Sequence, residues 1–124
     1  KKKELCIFGN DWPTKDGTCI RDYIHVMDLA EAHLNALDFL INNNPQIISL
    51  NIGTGNGTSV LEIVEKFMEV NNILVPYKFK GRRRGDLSSV VADNSLALEK
   101  LEWQPKRDIS DMCLDAWKWI NSEN

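Results

Sequence analysis

The chain has 124 residues, of which 43% are hydrophobic and 27% charged, and 15 Lys and Arg stand against 18 Asp and Glu for a net charge of −3. This is the length and balance of one domain with its own core, which excludes two full domains, a disordered tail, a collagenous repeat and a coiled coil. The slight excess of acid argues against general attraction to nucleic acid or an anionic membrane, so any anion site has to be local.

No apolar run approaches the roughly 20 residues needed to cross a bilayer. Lys1 to Lys3, followed only by the short apolar run Leu5 to Phe8, do not make a signal peptide. The chain starts at Lys1 without an initiating Met, which suggests a piece of something longer. Cys6, Cys19 and Cys113 are odd in number and widely spaced, with no CxxC. Neither a disulfide framework nor a zinc site is indicated, and a reducing cytosol fits.

In chain order, Leu5-Cys6-Ile7-Phe8 predicts a short buried strand, and the turn-rich Gly9 to Thr18 a surface loop. Cys19 to Val26 alternates loosely. The pattern then switches to helical spacing at Val26, Leu29, Ala30, His33, Leu37, Leu40 and Ile41. His33 falls on that apolar stripe, so a hydrogen-bonded core histidine is expected. Ile47 to Ile52 predicts a strand that runs into Gly53-Thr54-Gly55-Asn56-Gly57. The next helix is marked by a capping box, Ser59 and Glu62, and by a stripe of Val60, Ile63, Val64, Phe67 and Met68. Leu74 to Lys80 predicts a half-buried strand, with Val75, Tyr77 and Phe79 on one side. Beyond the basic turn at 81–86 come a short β stretch at Val90 to Ala92 and a helix over 95–101. A last helix carries Ile109, Met112, Cys113, Ala116, Trp117 and Ile120, with Ser110 as its cap. Trp103, Trp117 and Trp119 are expected to pack rather than to stack on bases.

Chemistry is sparse. The Gly53–Gly57 turn lacks the third glycine of a dinucleotide fingerprint, because Thr58 stands there, and no acidic residue ends a strand about 20 positions on. It predicts a tight turn with positive φ rather than an NAD site. Arg82-Arg83-Arg84, between Gly81 and Gly85 and followed by Asp86, is the sharpest charge feature. Consecutive residues of an extended segment point to opposite sides, so at most two of the three arginines can face one ligand. A guanidinium fork suits phosphate and Asp86 suits a ribose diol. Arg21 either pairs with Asp22 or Asp28 or faces a ligand. A YxxxK dyad is excluded, since Met27 and Gly81 occupy the positions its lysine would need.

The stretch LCIFGNDWPTKDGTCIRDYIHVMDL, followed in order by LNIGTGNGTSVLEIVE, RRRGDLSSVVAD, LEWQP and DMCLDAWKW, resembles the carboxy-terminal part of the UDP-glucose 4-epimerase family. These are extended short-chain dehydrogenase/reductases, and the resemblance covers essentially the whole chain. It implies an α/β fold, residues 1–124 being the carboxy-terminal nucleotide-sugar-binding domain. That domain is a small mixed sheet with helices, plus one helix (about 27–42) and one strand (about 47–52) of a Rossmann half. The implied activity is the interconversion of UDP-glucose and UDP-galactose through a 4-keto sugar and bound NAD. NAD and the catalytic residues would lie in an amino-terminal Rossmann domain outside this chain, so the chain alone is expected to be inactive. The parent is expected to be a cytoplasmic homodimer with no nucleic acid or membrane partner.

Residue by residue, the resemblance places Cys6, Ile7 and Phe8 on the strand that contacts uracil. It also places Arg21 and Arg83 on the diphosphate, Asp86 on the uridine ribose, Arg84 and Gly85 in the same segment, and Val90 beside the hexose. A small residue at Val90 implies room for N-acetylated hexoses. Arg84 stands where the family often has glutamate, and Glu102 where it often has a glycine that serves stability. The rival within the enzyme class is another nucleotide-sugar enzyme: a UDP-GlcNAc epimerase, a dehydratase or a decarboxylase. The rival outside it, a polyanion-binding strip at 78–84, is disfavoured by the net charge and by Asp86 beside the strip.

Overall fold

A computed structural model describes residues 4–122; Lys1 to Lys3, read above for a signal peptide, lie outside them. The order of elements is β1 (Leu5–Phe8), β2 (Ile20–Arg21), α1 (Val26–Asn42), β3 (Thr58–Ser59), α2 (Val60–Asn71), β4 (Tyr77–Lys80), β5 (Ser89–Val90), α3 (Ser95–Leu101) and α4 (Ile109–Ser122). This is the expected α/β class, with two small sheets. In one, β1 runs parallel to β4, with Leu5 opposite Tyr77 and Phe8 opposite Lys80. In the other, β2 is central, antiparallel to β3 and parallel to β5.

The helices start where side chains can take up the free amides of the first turn. At α2, Ser59 Oγ accepts from the Glu62 amide at 3.0 Å and Glu62 Oε2 accepts from the Ser59 amide at 2.8 Å, completing the expected capping box. At α1 the cap is His25, buried at 3% exposure, whose Nδ1 accepts from the Met27 amide at 3.0 Å. At α4 the cap is Asp108, not Ser110. Asp108 Oδ1 accepts the amides of Ser110 and Asp111 at 2.8 and 3.0 Å, and Asp111 returns a carboxylate to the Asp108 amide at 3.0 Å. A carboxylate reaches two amides where the Ser110 hydroxyl, already inside the helix, reaches none.

One core cluster joins Ala32, Leu101 and Trp103, with Ile24, Ala36, Phe39, Leu50 and Ile52 packed against it. Trp103 donates its indole N–H to the Asp28 carbonyl at 3.1 Å, so its polar handle is satisfied in the interior. A second contact sets α2 on α4, where the Phe67 and Trp117 rings meet edge to face at 5.9 Å. Trp119 does not pack; it is 66% exposed.

Three further expectations are corrected. Residues 47–52 are not a strand, because no described neighbour completes a ladder with them. Instead Ile48, Leu50 and Ile52 line an apolar groove of about 410 Å³ against α1. The segment at 74–80 forms a strand only from Tyr77, and all four of its residues are exposed rather than half-buried. His33 is exposed as well, with Nδ1 donating to the Leu29 carbonyl at 2.7 Å; it lines the same open groove, which nothing among the described residues closes into a core.

Candidate functional site

β1 places its residues by simple alternation. The amides of Leu5 and Gly9 bond to the carbonyls of Pro76, just before β4, and Lys80, at its end, both at 2.8 Å, so odd-numbered residues spend their backbone groups on that ladder. Cys6 and Phe8 therefore present N–H and C=O at the other edge, which pairs with no strand among the described residues. The Ile7 side chain, 1% exposed, is a core anchor, and with its backbone spent on the ladder it has nothing left to offer a ligand.

Beyond β4 the three arginines separate. Arg83 Cζ lies 4.9 Å from the Phe8 ring centroid, while its Nε donates to Asp86 Oδ2 at 2.9 Å. Asp86 is drawn back toward this pair by a turn in which its own amide bonds to the Arg83 carbonyl at 3.3 Å. The turn needs Gly85 at φ +89°, a conformation that side chains disfavour. Arg82 goes the opposite way, onto Trp12 and Asp11. Arg84 is exposed. At most two of the three were expected to face one ligand, and only Arg83 lies beside Phe8 and Asp86; Arg84 falls in the turn closed by Asp86 rather than in an extended segment.

A second cluster stands on the β2–β5 pair, where Arg21 is in register with Val90. Both line a depression of about 390 Å³ with Asp22, Asn51, Gly53 and Asp93. Arg21 pairs with neither Asp22 nor Asp28; its Nη1 donates to the Ile20 carbonyl at 2.7 Å. The structure thus brings Phe8, Arg83 and Asp86 together in one place and Arg21 and Val90 in another, and leaves Arg84 exposed.

Asp22 has a role that sequence reading missed. Its Oδ1 accepts the Thr54 amide and hydroxyl at 2.9 and 2.5 Å, and its Oδ2 accepts the amides of Gly55 at 2.9 Å and Ala92 at 3.3 Å. A Cβ on Gly53 would come within 2.6 Å of that carboxylate. The Gly53–Gly57 turn is therefore filled from within, Gly55 having the expected positive φ of 73°. The Thr54 and Gly55 amides are spent on this carboxylate and that of Asn56 on the Thr54 hydroxyl, so the turn does not fit the pyrophosphate of a dinucleotide. The available signal was the spacing of one Asp from a Gly-rich turn 32 residues on, which no local motif encodes.

Asp28 and Arg107 form another buried contact that sequence reading did not pair. Asp28 is 0% exposed; its Oδ2 accepts the amides of Lys106 and Arg107, both at 3.0 Å, and Oδ1 meets the Arg107 guanidinium. Burial pushes its pKa upward, but the hydrogen bonds from Arg107 and the Lys106 amide outweigh that and hold the carboxyl below its ordinary value. Tyr23 is shifted the other way, burial raising its phenol above the usual range. It borders the cleft between the glycine turn and residues 105–109.

The family model for GDP-mannose 4,6 dehydratase matches residues 1–116. A UDP-glucose 4-epimerase of Bacillus subtilis is 48% identical over 122 residues, which is 98% of this chain and 36% of that protein. The crystal structure of UDP-glucose-4-epimerase from Stenotrophomonas maltophila, with bound NAD and formylated UDP-arabinopyranose, superposes with a TM-score of 0.94 at 47% identity. It covers 98% of this chain and 36% of that one. The Bifidobacterium longum UDP-glucose 4-epimerase in complex with NAD+ and UDP gives 0.91 at 37% identity, with the same shares. The chain thus spans about a third of the length of these relatives.

Proposed function

The chain belongs to the GDP-mannose 4,6-dehydratase family of extended short-chain dehydrogenase/reductases, and on that premise we propose that it is the UDP-sugar-binding part of a longer UDP-glucose 4-epimerase. The observation that carries this reading is the Phe8–Arg83–Asp86 cluster at the open edge of β1. It sets an aromatic plane and free backbone groups for a base, a guanidinium for phosphate and a carboxylate for a ribose diol side by side. Cys6 and Phe8 offer the backbone groups, Ile7 holds the strand down, and Gly85 lets Asp86 return to Arg83. Arg21, across β2 from Val90, supplies the second cation for the diphosphate. Arg84 adds an exposed charge, and Val90 stands beside the hexose, leaving space for an N-acetyl group.

NAD binding is assigned to the remainder of that longer protein, because the glycine turn of this chain is occupied by Asp22; the complete protein is expected to be a homodimer. What these residues do is bind and orient. A sugar that must present both faces cannot be gripped tightly, so the interaction energy is best placed on its UDP handle.

Titrating UDP into the 124-residue chain, followed by NMR to millimolar ligand, tests the site. Binding is expected, and Arg83→Ala should weaken it by about tenfold or more, the range for hydrogen bonds to charged groups. No binding, or binding indifferent to Arg83, overturns the reading. Because the matching family model is described as a dehydratase, the competing outcome is a dehydrated nucleotide sugar. Product analysis of the complete protein with UDP-glucose separates the two.

A further inference from the structure

Of the three adjacent arginines, Arg82 is the one turned away from Phe8 and Asp86. Its Cζ sits 3.9 Å from the centroid of the Trp12 ring. Its Nε donates to Asp11 Oδ1 at 2.7 Å and its Nη2 to the Asp11 carbonyl. The guanidinium is thus used on its face by an indole and on its edge by one residue's carboxylate and backbone, a geometry that lysine cannot copy. The Asp11 carboxyl is held below its ordinary value chiefly by this hydrogen bond.

The two sides of the contact are unequally anchored. Trp12 belongs to a loop tied at several points: its amide bonds to the Gly17 carbonyl at 2.9 Å, and Asp16 holds the Thr18 amide at 2.8 Å and the Ser59 hydroxyl. Gly9 makes the fit possible, since at φ +82° a Cβ there would overlap the Trp12 indole and press on Arg82 Cγ at 3.1 Å. Residues 81–86, by contrast, form no ladder, and Cβ atoms added to Gly81 or Gly85 would meet nothing within 4 Å. A segment this open needs a side chain to hold it. Arg82 ties it to the fixed loop, one residue before Arg83.

We propose that Arg82, clamped by Trp12 and Asp11, is a positioning residue that fixes the 81–86 turn so that Arg83 stays over Phe8 and beside Asp86, pre-forming the nucleotide site. The inference rests on the function proposed above only in naming UDP as the ligand; the effect on Arg83 stands without it. Arg82 touches no nucleotide, and its contribution is to reduce the ordering that Arg83 would otherwise undergo on binding.

The side-chain Nε–H signal of Arg83 in the 15N-labelled chain, identified by its loss in Arg83→Ala, reads the latch without ligand. Arg82→Gln and Trp12→Leu should each move that signal toward its free-arginine position and speed its exchange with water, while Trp12→Phe, which keeps a ring under the guanidinium, restores it. Arg82→Lys should behave like Arg82→Gln. In UDP titrations Arg82→Gln should weaken binding roughly fivefold, and this loss should vanish in the Arg83→Ala background, the coupling expected of residues acting as a unit. Thermal melts confirm that each variant is folded. An Arg83 signal unchanged in folded Arg82→Gln overturns the proposal. So does an Arg82→Gln loss of UDP affinity that persists undiminished without Arg83, as a merely structural role would give. If the unsubstituted chain ignores UDP, the functional reading falls, and the Arg83 signal alone decides the latch.

Discussion

Two arginine–carboxylate clusters in this chain use the same chemistry to opposite ends. At the start of α1, Asp28 is wholly buried and its oxygens are consumed by Arg107, by two backbone amides and by nothing from outside. At the 81–86 turn, the Arg83 side chain is 61% exposed and that of Asp86 18%, and the pair lies on an aromatic ring at an open strand edge. The first is closed and saturated; the second is pre-oriented but has hydrogen-bonding capacity left over. A saturated pair can only hold the fold, whereas an unsaturated one can exchange its partner for a ligand at small cost.

The comparison breaks most visibly at Asp28. Replacing it with Ala leaves a guanidinium and two amides without their acceptor, and should cost about 3 kcal/mol in chemical denaturation. That is the lower end for removing one partner of a buried pair, because Arg107 is itself 32% exposed. The pH dependence follows in sign. The folded carboxyl titrates below the unfolded value of about 3.9, so its stabilisation is complete above roughly pH 5 and is lost as pH falls through the folded value. Asp28→Asn should flatten the stability profile below that point. A profile as steep as that of the unsubstituted chain would show that Asp28 is not the group responsible.

Ser59→Ala comes next, at about 1 to 2 kcal/mol, since its hydroxyl serves both the α2 cap and Asp16. Glu102→Gly should run the other way. Glu102 closes α3 in the left-handed region at φ 48°, and glycine there should raise stability by about 0.5 to 1 kcal/mol, seen as a higher melting temperature. The smallest stability effect belongs to the second cluster: Arg83→Ala should stay within about 0.5 kcal/mol of the unsubstituted chain, while UDP affinity takes the loss. A large destabilisation at Arg83 would erase the distinction between the clusters.

Legibility followed the range of the interactions. The α2 capping box was readable because Ser59 and Glu62 meet within one turn. The Asp22 carboxylate in the glycine turn, the Asp28–Arg107 contact and the Arg82–Trp12 stack were not readable, since each joins residues at least 32 positions apart. His33 and the 47–52 segment misled for a related reason. Periodicity reports which face is apolar, not whether another element covers it.

By itself the sequence determined the α/β class, the presence and order of the four helices, and the capped start of the second. Those follow from local backbone preferences and from a long, ordered set of motifs. Only the tertiary structure decided which arginine faces Phe8 and which locks the turn from behind. It alone decided, too, that the glycine-rich turn, already unlike a dinucleotide fingerprint, is filled by the Asp22 carboxylate. Side-chain partners far apart in the chain are chosen by how the strands and loops pack, and no local pattern carries that choice.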